Sequence, residues 1–332
     1  MKPHLHILHT ERYLQNQTLI ESAVIRNEFK LTKGCRLNSH AHLVYTQTYA
    51  ASDVLHVLEN CNQPYVVHMG GDIWYELTED PSRLAAVNRM LNRATLIVAN
   101  SFFLYRIILM NGFKNAVFLP GGLWGFDESV HGVMPKRFLP KHTHEEKPTK
   151  FLMNISLKVW KKYQGLELFM RFAHPYFKSI GAEVICAGGM ADKEFANKMC
   201  SQYDVLFVGN RSDWPLYLPQ ADVFLHPSMF DCFPRALAES KCAGLPSVAF
   251  RVAGNVEVGD SPIYVDPQDE GEVIGALRAL EDKSLREYFG WMGRERALKK
   301  TEQHRGDYPA IFKTVLENGS QRLVQECKEV LE

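Results

Sequence analysis

Residues 221–252 decide the fold, and their sequence is "ADVFLHPSMFDCFPRALAESKCAGLPSVAFRV". The apolar run before Pro227 predicts a strand. Pro227 and Pro234 keep the segment between them out of a helix. The helix then starts at Pro234, where a missing N–H costs nothing, and it ends at Gly244. The last residues, "PSVAFRV", predict a second strand. A strand, a helix and a strand in this order indicate a parallel sheet with crossover helices.

Two carboxylates flank the start of this helix. Asp231 lies in the loop at the carboxyl end of the strand, and Glu239 follows eight residues later inside the helix. Ligands of open α/β sheets bind at this edge, and a helix N-terminus suits a diphosphate. Eight residues at a rise of ~1.5 Å span ~12 Å, the scale of a sugar, two phosphates and a ribose. The alternative is two solvated surface acids.

The chain has 332 residues, which is enough for two domains. Strand-like runs alternate with helical patterns in both halves. The strands predicted in the first half are "HLHILHT", "LVYTQTY", "DVLHVLE", "YVVHMGG", "TLIVANS" and "AVFLPGG". Those predicted in the second half are "KFLMNIS", "EVICAGG", "VLFVGN", "VFLHPS", "PSVAFRV" and "PIYVDP". Between the halves, residues 136–150 are rich in Pro, Lys and His and are interpreted as a linker.

Charge and cysteine content narrow the class of protein. Lys and Arg together number 38, as do Asp and Glu, so no charge excess indicates nucleic acid or an acidic membrane surface. The seven cysteines contain no CxxC pair, and the start lacks the pattern of a signal peptide. No apolar run reaches the ~18 residues of a membrane span. A cytoplasmic protein with reduced thiols is expected, with peripheral membrane contact left open.

Residues 205–269 resemble the C-terminal domain of GT-B glycosyltransferases, and more narrowly the retaining family 4 group. The resemblance rests on a strand ending near "PS", an acid, seven residues and a Glu, followed by "AGLP", "AGNVEV" and "YVDPQD". It implies two Rossmann-like, doubly wound α/β domains facing a central cleft. The implied parts are an acceptor domain (1–135), the linker (136–150), a nucleotide-sugar domain (151–304) and terminal helices that cross back (305–332).

The same resemblance assigns roles to residues of the second half. Asp231 would contact the donor sugar and Glu239 the ribose. Lys158 would neutralise the leaving diphosphate. Gln164 stands where the family has a Lys, so Lys161 or Lys162 would substitute for it. The other expected donor-binding residues are Phe233, Arg235, Gly209, Asn210 and Ser228.

In the first half, "VVHMGGDIW" places polar residues at the end of a strand. By the resemblance, His68 would touch the transferred sugar, while Gly70, Gly71 and Asp72 would lie on the acceptor side. The alternative is a turn with a buried histidine. Ser101 follows the next strand, and we interpret it as a helix N-cap.

The absence of Asp-x-Asp, Gly-x-Ser-x-Gly, Gly-x-Gly-x-x-Gly and P-loop patterns weakens metal-dependent GT-A, hydrolase, dehydrogenase and kinase interpretations. The resemblance implies a glycosyltransferase that uses a nucleotide-diphosphate sugar, with UDP- and GDP-sugars favoured, and that needs neither metal nor cofactor. The sequence does not select among a glycan, a lipid and a protein as the acceptor. Asp231 replaces the family's usual Glu, and "HILHTERYLQ" lacks its glycine loop. A nucleotide-sugar 2-epimerase and a binding protein without transfer activity are the alternatives.

Overall fold

The structure is a computed structural model. It describes residues 2–8, 27–47, 50–119, 150–155, 160–189, 192–209, 214–304 and 307–329. The chain divides into two units. The first comprises Met1–Val130 with Thr301–Glu332, and the second comprises His131–Lys300.

The first unit is built on a parallel sheet of six strands in the order β2-β1-β3-β4-β5-β6. The strands are β1 (His4–Leu8), β2 (Lys30–Gly34), β3 (Leu43–Thr46), β4 (Tyr65–Met69), β5 (Leu96–Ala99) and β6 (Ala116–Phe118). Their connections include the helices α1 (Ser52–Glu59), α2 (Ile73–Glu76), α3 (Pro81–Arg93) and α4 (Phe102–Met110).

One strand prediction in this unit is wrong. "DVLHVLE" forms most of helix α1, because its buried residues Val54, Leu55 and Leu58 follow the helical period rather than alternation. The sixth strand of the sheet is instead β2, "KLTKG", whose exposed and half-exposed side chains gave no strand signal. β2 lies at an edge of the sheet, where fewer side chains need be apolar.

The second unit contains a parallel six-stranded sheet in the order β12-β11-β10-β7-β8-β9. Its strands are β7 (Lys150–Met153), β8 (Glu183–Cys186), β9 (Val205–Phe207), β10 (Val223–His226), β11 (Ser247–Phe250) and β12 (Ile263–Val265). All six coincide with predicted strands. The helices are α5 (Trp160–Ile180), α6 (Lys193–Tyr203), α7 (Arg235–Cys242), α8 (Glu270–Ala279) and α9 (Lys283–His304), with 3-10 helices at Trp214–Gln220 and Ala253–Val258.

The strand order of the second sheet confirms the doubly wound prediction. The chain order reverses between β7 and β10, which are neighbours in the middle of the sheet. This reversal creates a crevice beyond the carboxyl ends of the two strands, the general ligand site of such sheets. The loop with Asp231 follows β10 and therefore lies at this crevice.

The end of the chain returns to the first unit as helices α10 (Asp307–Asn318) and α11 (Gln321–Glu329). Tyr308 and Phe312 of α10 are buried in one hydrophobic cluster with Leu5, Tyr45 and Val66 from the first sheet. α10 thus supplies part of that sheet's core. Within the described ranges, no helix is both long and apolar enough to cross a membrane.

Candidate functional site

Hydrogen bonds fix the conformation of the loop after β10. Ser228 is buried, and its hydroxyl donates to the carbonyl of Phe230 at 3.0 Å. The side-chain amide of Asn255 donates to the carbonyls of Ser228 (3.0 Å) and Phe250 (3.1 Å). Asp231 is half-exposed, and its carbonyl accepts from the N–H of Gly254 at 2.9 Å. The loop therefore presents the Asp231 side chain from a backbone fixed by the segment after β11.

The start of α7 follows this loop directly. The first backbone bond of the helix runs from the N–H of Ala238 to the carbonyl of Pro234 at 3.1 Å. Proline has no side-chain acceptor, so the residue before the helix does not cap the N–H groups of the first turn. Phe233 is buried and Arg235 is exposed. These N–H groups give α7 the features of an anion site.

Glu239 is the most perturbed acid of this region. It lies one turn into α7 and is 8% exposed. Burial raises the pKa of its carboxyl to about 7, and the nearby Arg235 guanidinium opposes this rise. The two side chains are 3.7 Å apart. Surface acids rarely have a pKa near neutral. Buried carboxyls with such a raised pKa are frequent in ligand sites.

Glycines allow two close backbone approaches in the second unit. A Cβ on Gly165, in α5, would lie 2.0 Å from the carbonyl oxygen of Pro227 in the β10 loop. A Cβ on Gly188, after β8, would lie 1.9 Å from the carbonyl oxygen of Ile155, which follows β7. Only glycine fits at either place. Helix α5 therefore approaches the β10 loop closely, and the segment after β8 approaches the residue that follows β7.

Gly165 gives a stability prediction. Gly165→Ala is expected to lower the free energy of unfolding by about 1–3 kcal/mol, because the added methyl group overlaps backbone that must shift. Gly275→Ala in α8 is the matched control. Among the described residues, its Cβ meets no heavy atom within 4 Å outside its own helix, so a gain of about 0.5–1 kcal/mol is expected. Urea unfolding of both variants measures the difference. Equal stabilities would contradict the close approach.

The 3-10 helix after β11 packs against the loop after β10 and against α7. This contact was not predicted from the sequence. Ala253 adopts the left-handed conformation (φ 46°), and a Cβ on Gly254 would lie 1.7 Å from the carbonyl oxygen of Cys232. Lys241, which is buried, donates from Nζ to the carbonyl of Val258 at 2.6 Å. Burial lowers the pKa of this lysine to about 8. "AGNVEV" was noted for its resemblance, but nothing in the sequence showed that Asn255 would support the β10 loop.

The remaining expected donor residues fall at or beyond the described ranges. Gly209 follows β9 with φ 80°, a conformation that favours glycine. Asn210 and Lys158 lie outside the described residues, and the side chains of Lys161 and Lys162 are likewise not described. Their roles stay predictions.

In the first unit, His68 ends up in the core. It is 6% exposed, and its Nδ1 lies 3.0 Å from the hydroxyl of Tyr45 and 3.0 Å from Nε2 of Gln47. Its ring centroid is 6.0 Å from that of Tyr308. These contacts agree with the alternative of a buried histidine beside a turn, while contact with a sugar stays a prediction.

Of the other residues singled out in this unit, two cap helices and two glycines have no role that the structure tests. Asp72 caps α2, because its Oδ1 accepts from the N–H of Tyr75 at 3.1 Å. Gly70 is exposed and Gly71 half-exposed, and their acceptor role stays a prediction. Ser101 caps α4 by accepting from the N–H of Leu104 at 3.1 Å, which confirms its interpretation. Across the described residues, no three His, Cys, Asp or Glu side chains are grouped so as to hold a metal ion.

Sequence comparisons relate part of the second unit to glycosyltransferases. Residues 151–283 match the family model described as glycosyl transferases group 1. An uncharacterised glycosyltransferase of Methanocaldococcus jannaschii is 26% identical over 136 residues, which cover 38% of this chain and 35% of that protein. The UDP-Gal:alpha-D-GlcNAc-diphosphoundecaprenol alpha-1,3-galactosyltransferase of Escherichia coli is 33% identical over 85 residues, or 24% and 22% of the two chains. The matches thus span about a third or less of these relatives.

Solved structures share the fold over most of the chain. HepE of Anabaena, crystallised with UDP and glucose, has a TM-score of 0.67 at 14% identity and covers 95% of this chain and 100% of its own. Sucrose-phosphate synthase of Thermosynechococcus elongatus has a TM-score of 0.63 at 16% identity and covers 83% and 74%. The GT-B fold predicted from the sequence is confirmed. The second unit carries the glycosyltransferase match.

Proposed function

We propose that this protein is a retaining glycosyltransferase of the family 4 type, which transfers a sugar from a nucleotide-diphosphate donor to an acceptor hydroxyl. One observation carries the proposal. The buried carboxyl of Glu239 lies inside α7, while Asp231 precedes the same helix at the crevice between β7 and β10. An anion site with an acid on either side matches the three parts of such a donor.

Each part of the donor then has a partner. The hydroxyls of the ribose donate to Glu239, and the first-turn N–H groups of α7 bind the diphosphate. The hydroxyls of the transferred sugar donate to Asp231, whose position is fixed by the bond from Gly254. Charge that develops on the leaving diphosphate is stabilised by fixed N–H dipoles, assisted by Lys158.

UDP-sugars are the favoured donors. HepE was crystallised with UDP and with UDP-glucose, and the name of the Escherichia coli relative includes UDP-Gal. These ligands belong to those proteins, and they support UDP-glucose and UDP-galactose as the first compounds to test here, with GDP-sugars next. The acceptor and the cytoplasmic location stay predictions.

A thermal-shift screen of nucleotide sugars, followed by product analysis, tests the proposal. A donor at 100 times its dissociation constant is expected to stabilise the protein by about 2.7 kcal/mol. Transfer to an acceptor with the anomeric configuration kept would support the proposed reaction. An epimerised donor formed without any acceptor would identify a 2-epimerase instead. If the protein binds a nucleotide sugar but releases no nucleotide with any acceptor tested, it is a binding protein without transfer activity.

Turnover is expected to survive EDTA. In the proposed mechanism the helix N-terminus and Lys158 offset the charge of the departing diphosphate, which is the task of the metal in metal-dependent transferases. Rates of nucleotide release with and without EDTA measure this. Lost activity that Mn²⁺ or Mg²⁺ restores would contradict the mechanism.

A further inference from the structure

Two buried histidines of the first unit share one threonine hydroxyl. His4 and His6 lie two residues apart in β1, so both face the same side of the sheet, and they are 5% and 3% exposed. Nε2 of His4 lies 2.7 Å from Oγ1 of Thr32 in β2, and Nδ1 of His6 lies 2.9 Å from the same oxygen. Nδ1 of His4 lies 3.1 Å from the carbonyl oxygen of His40. Nε2 of His6 lies 2.8 Å from the carbonyl oxygen of Arg36. These four contacts are called the histidine network.

The histidine network has one proton too few when both rings are neutral. Each hydrogen bond needs one proton between its two heavy atoms, and a carbonyl oxygen brings none. The hydroxyl of Thr32 supplies one proton, and each neutral imidazole supplies one, whichever tautomer it adopts. Three protons cannot make four hydrogen bonds, so one contact joins two acceptors and is repulsive. A fourth proton, which turns one ring into an imidazolium, completes the network.

The neighbouring charges place this fourth proton on His6. Three groups act on His4, and the charge of each opposes a positive ring there; they are Lys30, His40 and His42. Among the described residues, the titratable group that acts on His6 is His4 alone. Residues 30–47 contain no Asp or Glu, so β2 and the segment after it add no acid that would favour a charge on either ring. His6 is therefore the ring on which the proton meets less opposition.

Protonation of His6 satisfies every member of the histidine network. Nδ1–H of His6 then donates to Thr32, and Nε2–H donates to the carbonyl of Arg36. The hydroxyl of Thr32 donates to His4 and also accepts from Nδ2 of Asn38 at 3.3 Å. Burial lowers the pKa of His6 from its ordinary value of 6.5, and the bond to the Arg36 carbonyl opposes this. The ring is therefore neutral at neutral pH and gains its second proton in weak acid.

The two carbonyls of the histidine network belong to one segment. Residues 35–42 connect β2 to β3 and are called the β2–β3 loop. The loop is anchored to β1 through the carbonyls of Arg36 and His40. Its first part lines an open pocket together with His6 and Thr32, at the edge of the sheet that β2 forms. A missing proton therefore weakens an anchor of the loop that shapes this pocket.

We propose that His4, Thr32 and His6 form a proton-binding site that fixes the β2–β3 loop to β1 in weak acid and leaves one of its two carbonyl anchors open at neutral pH. The device acts through the backbone of the loop, so the pocket beside β2 is held in one shape in acid and is looser at neutral pH. The proposal concerns the first unit and does not depend on donor binding by the second.

Hydrogen exchange of the full chain, measured by mass spectrometry on peptides that cover residues 35–42, tests the proposal. After correction for the intrinsic rate, the N–H groups of this loop should exchange about tenfold more slowly at pH 5 than at pH 7.5, because a hydrogen bond from a charged donor is gained. Nitrogen NMR of histidine-labelled protein should show both ring nitrogens of His6 protonated at pH 5 and one of them protonated at pH 7.5.

Two variants remove the proton deficit by different routes. Thr32→Val keeps the shape of the side chain but removes the shared hydroxyl, so the two neutral rings supply one proton to each carbonyl. His6→Gln keeps a donor for the Arg36 carbonyl but cannot gain a proton. In both variants the dependence of loop exchange on pH should disappear. Thr78→Val is the matched control, because its exposed hydroxyl donates to the carbonyl of Tyr75 at 2.9 Å, away from the network; its response should equal that of the wild type.

Three results would overturn the proposal. The first is equal protection of the β2–β3 loop at pH 5 and pH 7.5 in the wild type. The second is a wild-type response in both Thr32→Val and His6→Gln. The third is a His6 ring that stays neutral at pH 5. Circular dichroism checks the folding of each variant, and the NMR measurement on the wild type decides the matter if a variant unfolds.

Discussion

Asp231→Asn is expected to lower the rate of sugar transfer roughly 100-fold or more while leaving the affinity for UDP almost unchanged. Asparagine keeps the shape of the side chain but cannot accept hydrogen bonds on both terminal atoms. The transferred sugar would lose a fixed contact at the reacting centre, where a displacement of about 1 Å can cost 10²-fold in rate. The diphosphate would still bind the N–H groups of α7. Turnover assays and calorimetry with UDP separate the two effects.

Two further variants sharpen this test. Asp231→Glu restores the length usual in the family, so its activity should fall less than that of Asp231→Asn. Asp266→Asn is the control, because Asp266 also follows a strand, β12, and is exposed with its Oδ1 bonded to the N–H of Gln268 at 2.8 Å. Its turnover should match that of the wild type. If Asp231→Asn transfers sugar at the wild-type rate, Asp231 does not hold the donor.

Binding of UDP-glucose is expected to tighten as the pH rises from about 6 to about 8, and Glu239→Gln should weaken binding and abolish this dependence. The pKa of Glu239 is about 7 in the free protein, so the carboxyl is largely protonated at the lower pH. If only the carboxylate accepts from the ribose, affinity falls by up to about tenfold per pH unit below that pKa. Each phosphate of UDP-glucose carries one ester bond and shares the anhydride bond, so neither has an ionisation in this range. Calorimetry across the range measures the effect.

The stability of the wild-type protein should change with pH in the opposite sense to its affinity for UDP-glucose. The pKa of Glu239 is raised from 4.5 to about 7 by folding, so the folded state binds more protons between these values. The free energy of unfolding should therefore fall as the pH rises through this window. Glu239→Gln removes the buried charge, and at about pH 8 it should be more stable than the wild type by about 1–3 kcal/mol.

A matched control tests whether the changes in affinity and pH dependence are specific to Glu239. Glu287→Gln changes an exposed acid that forms a helix-surface pair with Lys283, and it should alter neither affinity nor pH dependence. A variant Glu239→Gln that is more stable and still binds UDP-glucose like the wild type at every pH would show that this acid does not contact the donor.

The sequence predicted the second unit better than the first for a physical reason. Strands such as β10 and β11 are buried at every residue, so each is a continuous apolar run between turn residues. β2 is a polar edge strand, and its pairing with β1 does not require apolar side chains, so its sequence contains no apolar run. The segment "DVLHVLE" is so short that its apolar residues fit both the helical and the strand period. Only its packing in the folded unit selects the helix.

The candidate site could be proposed in outline from the sequence, but the contacts that support its loop could not. The spacing of Asp231 and Glu239 around a helix start could be recognised in one local stretch. The burial of Glu239 depends on the packing of the whole unit. Asn255 reaches back 27 residues to Ser228, and Gly165 is required by a carbonyl oxygen of Pro227 far along the chain. Such close approaches are set by tertiary geometry, which one sequence does not display.

The return of α10 to the first sheet sets an order for folding during synthesis. Tyr308 and Phe312 belong to the core around Tyr45 and Val66, yet they are translated after the whole of the second unit. The second unit is one continuous segment and can fold as soon as it has left the ribosome. The first unit, although translated first, keeps an apolar face uncovered until the last helices emerge. The amino-terminal half is therefore expected to expose part of its core to solvent until translation of the described helices is finished.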